Sequence, residues 1–268
     1  MPCYIVKILY PNEILGLVGE SGSGKSVTSL AVMGLLPDMA NLEGNIIYRQ
    51  KNLAHSNQKQ LRKIRGNEIA MIFQEPMSAL NPSMRCGAQV AEVLKIHLGL
   101  SKQKAKKQVL ELFEKVKLPR VNEVYKSYPH QLSGGQMQRV MIAMALACKP
   151  KVLIADEPTT ALDVTVQKEI IELLKSLQQE NQMSILFISH DLALISEIAD
   201  RVAVMYQGNL LETAKTKELF ESPKHNYTKA LLASRPDLDK RLKRLPTVSE
   251  LTDNSYRPQE VTPQSRAA

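Results

Sequence analysis
The chain has 268 residues, 44% of them hydrophobic but only 4% aromatic and none Trp, so a sizeable core of aliphatic and Met side chains is expected. Its 35 Lys and Arg against 27 Asp and Glu give a net charge of +8, which admits a nucleic acid, an anionic membrane surface or simply a basic solvated exterior. No apolar run approaches the ~20 residues of a bilayer span, "MPCYIVKILYP" lacks the form of a secretory signal, and Cys3, Cys86 and Cys148 are scattered without metal-like spacing, which fits a reducing cytosol better than a disulfide framework.

In chain order, the first predicted strand, "EILGLVG" (13–19), runs straight into "GESGSGKS" (19–26) and the helical stretch "SVTSLAVMGLL". This is a G-x-x-x-x-G-K-[ST] loop in its required strand–loop–helix setting. Its glycines let backbone N–H groups turn towards phosphates, and the following helix offers its positive pole. Lys25 is placed to reach the β/γ-phosphates and the Ser26 hydroxyl to bind Mg²⁺.

A second strand, "EIAMIFQ" (68–74), ends at Gln74, whose amide either touches Mg²⁺ or the attacking water or is an ordinary polar strand terminus. From about 78 to 132 the strand–helix rhythm breaks. Helices are predicted around 89–97 and 102–117, closed by Pro119 and Pro129, as a helical subdomain inserted between strands. Lys102, Lys104, Lys106 and Lys107 open the second helix, as a solvated face or as a patch for a membrane or nucleic acid.

"LSGGQMQR" follows, at the mouth of a long apolar helix. Ser133 and Gln136 read as a capping box. That pattern leaves Gly134 and Gly135 without a reason, and bare backbone at a helix N-terminus permits close approach of an anion. The first loop already serves the chain's own phosphates, so this second one is expected to face another subunit's nucleotide.

"KVLIAD" (151–156) is a predicted buried strand ending in adjacent carboxylates. Asp156 can hold Mg²⁺ and Glu157 can polarise water as a general base. In "TTALD" Asp163 either caps the next helix, around 166–179, or reaches across an interface. A strand at 184–189 ends beside His190, which either contacts a γ-phosphate or is structural. A helix near 192–199 and a strand at 201–207 complete an α/β pattern with a mostly parallel sheet. Beyond Pro223 come a short helical piece, "YTKALLAS", a basic run at 240–244 and a polar tail expected to be disordered from about 246.

Taken together and in this order, "GESGSGKS", "FQEP", "LSGGQMQR", "VLIADEPTTALD" and "ISHD" resemble the nucleotide-binding subunit of an ATP-binding cassette (ABC) transporter, over about residues 12–233. "MIFQEPMSALNPS", "YPHQLSGGQMQRVMIAMALACKP" and "SPKHNYTKALLAS" resemble the ATPase subunits of bacterial oligopeptide/dipeptide importers, and relatives taking up nickel or glutathione share much of this wording.

The resemblance implies a P-loop NTPase (ABC ATPase) core over 1–77 and 136–222, a helical subdomain over 78–135 with the signature motif at its end, a shortened antiparallel β subdomain, and a C-terminal extension over 223–268. It implies ATP and Mg²⁺ as cofactors. Gly19, Glu20, Ser21, Gly22, Ser23, Gly24, Lys25, Ser26 and Val27 would hold ATP in cis, and Ser133, Gly134, Gly135 and Gln136 would hold the ATP of a partner subunit. Ser26, Gln74 and Asp156 would serve Mg²⁺. Glu157 would be the catalytic base, His190 would sense the γ-phosphate, Gln74 would link nucleotide state to the helical insertion, and Asp163 would lie at the dimer interface.

The implied partners are a second ABC ATPase subunit, identical or paralogous, two membrane permease subunits and, indirectly, a solute-binding protein, with no nucleic acid expected. The implied place is the cytoplasmic face of the bacterial inner membrane, as a peripheral subunit. The stretch before Gly19 is shorter than the family's, and the aromatic that stacks on adenine belongs there. Tyr4 and Tyr10 qualify only by residue type, so a shortened N-terminus with weakened adenine binding is expected. No Cys follows Cys148, so no iron–sulfur centre is expected. The competing readings are a soluble ABC ATPase acting on DNA or ribosomes, an N-terminally truncated subunit with impaired activity, and the first half of a tandem ATPase.

Overall fold
The computed structural model describes residues 9–160 and 162–234. Tyr4, Cys3, Ala161, the basic run and the polar tail lie outside the described residues.

The chain opens with β1 (Ile14–Val18), the phosphate-loop sequence and α1 (Lys25–Met33). A small antiparallel pair follows, β2 (Ile47–Tyr48) with β3 (Lys51–Asn52), and then α2 (Gln58–Ile64). α2 is fixed at its start by a full capping box between Asn57 and Gln60. β4 (Ile69–Ile72) leads into a run of helices: α3 (Pro76–Ala79), α4 (Cys86–Leu98), α5 (Lys102–Lys115), α6 (Val121–Lys126) and α7 (Gly134–Leu146). The chain then alternates β5 (Val152–Asp156), α8 (Val164–Asn181), β6 (Ser184–Ile188), α9 (Leu192–Ile198) and β7 (Arg201–Tyr206). β8 (Asn209–Lys215), α10 (Thr216–Glu221) and α11 (Asn226–Ala233) complete it.

The main sheet has the order β4-β5-β6-β1-β7-β8. All its pairings are parallel except the β7–β8 hairpin. β1 is central and buried along its length, which is why it reads as a continuous apolar run. Alternate residues serve opposite faces: Ile14 and Val18 join the larger core with the helices α4 to α9, while Leu15 and Leu17 join a smaller one with Met33, Leu53 and Leu61. Between them, Gly16 lets α9 lie close, because a Cβ there would meet Ile195 Cγ2 at 2.9 Å.

The helices α4 to α7 pack on one another, and Leu94, Val109, Phe113 and Val124 continue the same apolar cluster as the sheet strands. No helix of the described residues is long and apolar enough to cross a membrane.

The elements that sequence reading missed are short or polar. β8 is half-exposed along most of its length and follows a turn at Gln207 and Gly208, both left-handed, the geometry that favours a tight hairpin. In parallel αβ sheets, ligands bind beyond the carboxyl ends of the strands. Here that rim gathers the loop after β1, Asp156 at the end of β5, and the segments after β4, β6 and β7.

Candidate functional site
The loop after β1 has the backbone that its glycines foretell. Gly19, Gly22 and Gly24 have φ of 156°, 79° and 104°, values an L side chain resists. At Gly19 the constraint is also steric, since a Cβ would come within 2.1 Å of the Met205 carbonyl oxygen. At Gly22 nothing lies within 4 Å, so that face of the loop is open. The loop is braced from β7's turn, where Gly208 N–H donates to the Ser23 carbonyl at 3.0 Å. Glu20, Ser21, Gly22, Ser26 and Val27 are exposed, while Ser23 and Lys25 are buried.

Lys25 curls back on its own loop: Nζ donates to the Gly19 carbonyl at 2.8 Å and to the Glu20 carbonyl at 2.9 Å. Burial lowers its pKa, against the opposing pull of Glu157, Asp156 and Glu20. The Ser26 hydroxyl donates to Asp156 Oδ1 at 3.1 Å, so residues 130 positions apart share one point on the rim. Burial raises the pKa of Asp156, and the Ser26 hydrogen bond and Lys25 offset part of the rise. An ammonium and a carboxylate both buried at this rim, each feeling the other's charge, suit a ligand that brings both an anion and a cation. Among the described residues no cluster of three or more His, Cys, Asp or Glu forms a metal cage. A hydroxyl with a single carboxylate instead suits Mg²⁺, which commonly completes its shell with phosphate oxygens and water.

Glu157, next after Asp156, is the meeting point of the predicted catalytic residues. Its backbone is left-handed, φ 46°, and held by its N–H donating to the Ile188 carbonyl at 3.0 Å. Such a conformation is uncommon outside glycine and clusters at functional sites. Gln74 Nε2 donates to Glu157 Oε2 at 3.1 Å, and His190 Nδ1 lies 3.3 Å from Oε1. Gln74 and His190 stand past the strand ends, β4 closing at Ile72 and β6 at Ile188. The expectation that Gln74 ends its strand is corrected accordingly. Those extra residues let both side chains turn over the rim towards one carboxylate. Sequence reading missed Thr160, whose hydroxyl donates to Glu157 Oε2 at 3.0 Å.

The second glycine motif sits elsewhere. Ser133 and Gln136 form the expected capping box at the start of α7. Among the described residues no hydrogen bond or ion pair joins residues 133–136 to 19–27. Ser133 and Gly134 are exposed. Gly135 has a packing reason that the sequence hid: a Cβ would meet Val166 Cγ1 of α8 at 2.9 Å. Asp163 caps α8, accepting from Val166 N–H at 2.9 Å. Of its two predicted roles, the structure contains the cap.

Tyr10 is not at this rim. The Arg201 guanidinium lies over its ring, 4.8 Å from the centroid, and its carbonyl accepts from the Ser184 hydroxyl. Both partners begin strands, so Tyr10 marks the opposite edge of the sheet, a β1 length or about 16 Å away. The idea that Tyr10 stacks on adenine is corrected on that ground.

Comparison with known proteins adds to this geometry. The model of the ABC transporter family matches residues 7–160. That of the oligopeptide/dipeptide transporter C-terminal region matches residues 211–260. The chain is 50% identical over 233 residues to the dipeptide transport ATP-binding protein of Bacillus subtilis, covering 86% of this chain and 70% of that one. It is 52% identical over 229 residues to the oligopeptide transport ATP-binding protein of the same organism, covering 85% and 64%. Among solved structures it is similar to a dimeric ATP-binding cassette in a post-hydrolysis state with ADP and Pi, with TM-score 0.70, 29% identity, and coverage of 78% of this chain and 88% of that one.

Proposed function
The chain belongs to the ABC transporter family, and from that premise we propose that it is the ATP-hydrolysing subunit powering a bacterial importer of short peptides. The observation that carries the catalytic half is the convergence of Lys25, the Ser26–Asp156 pair and the Gln74–Glu157–His190 cluster on one rim of the sheet. The peptide half is supported by the match over residues 211–260 and by the dipeptide and oligopeptide transport relatives.

The loop from Gly19 to Val27 cradles the phosphates through backbone N–H groups and Lys25. Ser26, Asp156 and Gln74 would hold Mg²⁺. Bound Mg²⁺ neutralises charge on the phosphate oxygens. Glu157 accepts a proton from the attacking water. Its carboxylate is oriented by donors from Gln74 and Thr160 on one oxygen and by His190 at the other.

Residues 133–136 serve the nucleotide of a second subunit, and the described dimeric state of a similar cassette supports that arrangement. The partners are a second ATPase subunit and membrane permeases on the cytoplasmic face. Within this reading, 1–77 and 136–222 form the nucleotide-binding core, 78–135 the helical subdomain and 223–268 the extension.

The test is phosphate release by the wild-type chain and by Glu157→Gln, assembled with the permease subunits and supplied with peptide. Loss of a general base lowers turnover by about 100-fold or more. Equal rates would remove Glu157 from the assignment, and turnover indifferent to peptide would remove the cargo.

A further inference from the structure
One peptide unit of the phosphate loop is held from both sides. A trans peptide points its N–H and C=O in opposite directions within one plane. For the unit joining Gly19 to Glu20, the N–H donates to the Tyr227 hydroxyl at 3.3 Å, and the C=O accepts from Lys25 Nζ at 2.8 Å. Gly19 has no side chain and a φ of 156°, so its backbone alone does little to stop this plane from rotating. A rotated plane would turn the carbonyl away from the lysine.

Tyr227 is built to resist that rotation. It is 2% exposed, and its ring lies on Tyr206 with centroids 4.3 Å apart. Its place on α11 is set by a hook from β8: Glu212 accepts from the N–H groups of Lys224 and His225 at 2.8 and 3.0 Å, and His225 Nδ1 accepts from Tyr227 N–H at 3.1 Å. Burial pushes the Tyr227 hydroxyl up to about 12, so it is neutral at physiological pH. Tyr227 lies outside the residues matched by the ABC transporter model and inside the C-terminal match.

We infer that Tyr227 is a positioning residue for Lys25: its hydroxyl fixes the Gly19–Glu20 peptide, and that peptide's carbonyl fixes the ammonium. The C-terminal region thereby sets the geometry of the phosphate loop. The inference rests on the nucleotide-binding reading above.

The test uses the full chain as wild type, Tyr227→Phe and Tyr206→Phe. Tyr206 is the control, since its hydroxyl accepts only from Gln207 Nε2 among the hydrogen bonds of the described residues. Two quantities are read: the Kd for Mg–ATP by calorimetry, and the rate of reductive methylation of Lys25 by mass spectrometry without nucleotide. Tyr227→Phe is expected to weaken ATP binding roughly five- to tenfold, the worth of one hydrogen bond, and to speed Lys25 methylation severalfold. Tyr206→Phe is expected to stay within about twofold of wild type in both. A Tyr227→Phe chain that matches wild type in either quantity overturns the inference while leaving the nucleotide site standing. A wild type that does not bind Mg–ATP overturns both. An equal effect of Tyr206→Phe also overturns it, by showing that the aromatic pair acts only through packing.

Discussion
At the residue scale, the glycines of the phosphate loop are not interchangeable. Gly22→Ala meets no atom within 4 Å, so its cost is that of a left-handed alanine, about 1 kcal/mol. Gly19→Ala drives a methyl to 2.1 Å from the Met205 carbonyl oxygen, and backbone on the central sheet cannot step aside as a side chain would. Its cost is about 2–3 kcal/mol, as for overpacking elsewhere. Urea denaturation of the two variants is expected to rank them in that order, and the reverse order would refute the steric argument. The candidate site was legible where one short motif carries one proposed role: 19–27, Asp156 and Glu157 each follow from a contiguous stretch of the chain. What was not legible needs three dimensions. Thr160 touches Glu157 because of a local turn, Tyr227 touches Glu20 across 207 positions, and Gly135 looked like a pure anion contact until Val166 was seen above it.

At the scale of elements, α7 packs against both the helical run and the sheet, and one side chain ties it down. Arg139 is 7% exposed, and its Nη1 donates to the Val116 carbonyl at 2.9 Å. Val116 is the C-cap of α5, so the guanidinium satisfies a carbonyl the helix leaves open and places a cation at its negative pole. Nη2 pairs with Glu169 on α8. The Glu169 side chain is 55% exposed, so this ion pair is weak, while the buried carbonyl is costly to strand. Arg139→Met is therefore expected to lose about 2–3 kcal/mol in thermal or urea unfolding, and Glu169→Gln less than about 1. Similar losses for both would mean that the ion pair, not the helix end, is what matters. Such ties explain why long periodic elements were readable and short ones were not. α5 and α8 declare themselves by apolar spacing, whereas α6, α10 and β8 exist because of what they dock against.

At the scale of the whole molecule, the two motifs proposed to face nucleotides, 19–27 and 133–136, share no hydrogen bond or ion pair among the described residues. Apolar side chains stand exposed beside one of them and at the start of α8: Val27 is 51% exposed in the first turn after Lys25, and Val164 is 82% exposed next to Asp163. Single exposed apolar residues are ordinary on a protein surface, so Val27 and Val164 serve as probes of the proposed contact and not as its evidence. If residues 133–136 of a second subunit cover 19–27, the closed pair exists only while ATP bridges it. The dimer must then be populated in proportion to how much better ATP binds it than the single chain. Blocking hydrolysis should trap it. Light scattering of the Glu157→Gln chain with Mg–ATP is expected to report twice the monomer mass, falling to the monomer with Mg–ADP. Val164→Asp in the same background is expected to leave the melting temperature unchanged and to abolish the doubling, because an exposed site tolerates a carboxylate until it is buried. A doubled mass that survives both Val164→Asp and the exchange of ATP for ADP would place the contact elsewhere on the molecule. The signature loop would then be left with only the role its capping box gives it, that of starting a helix.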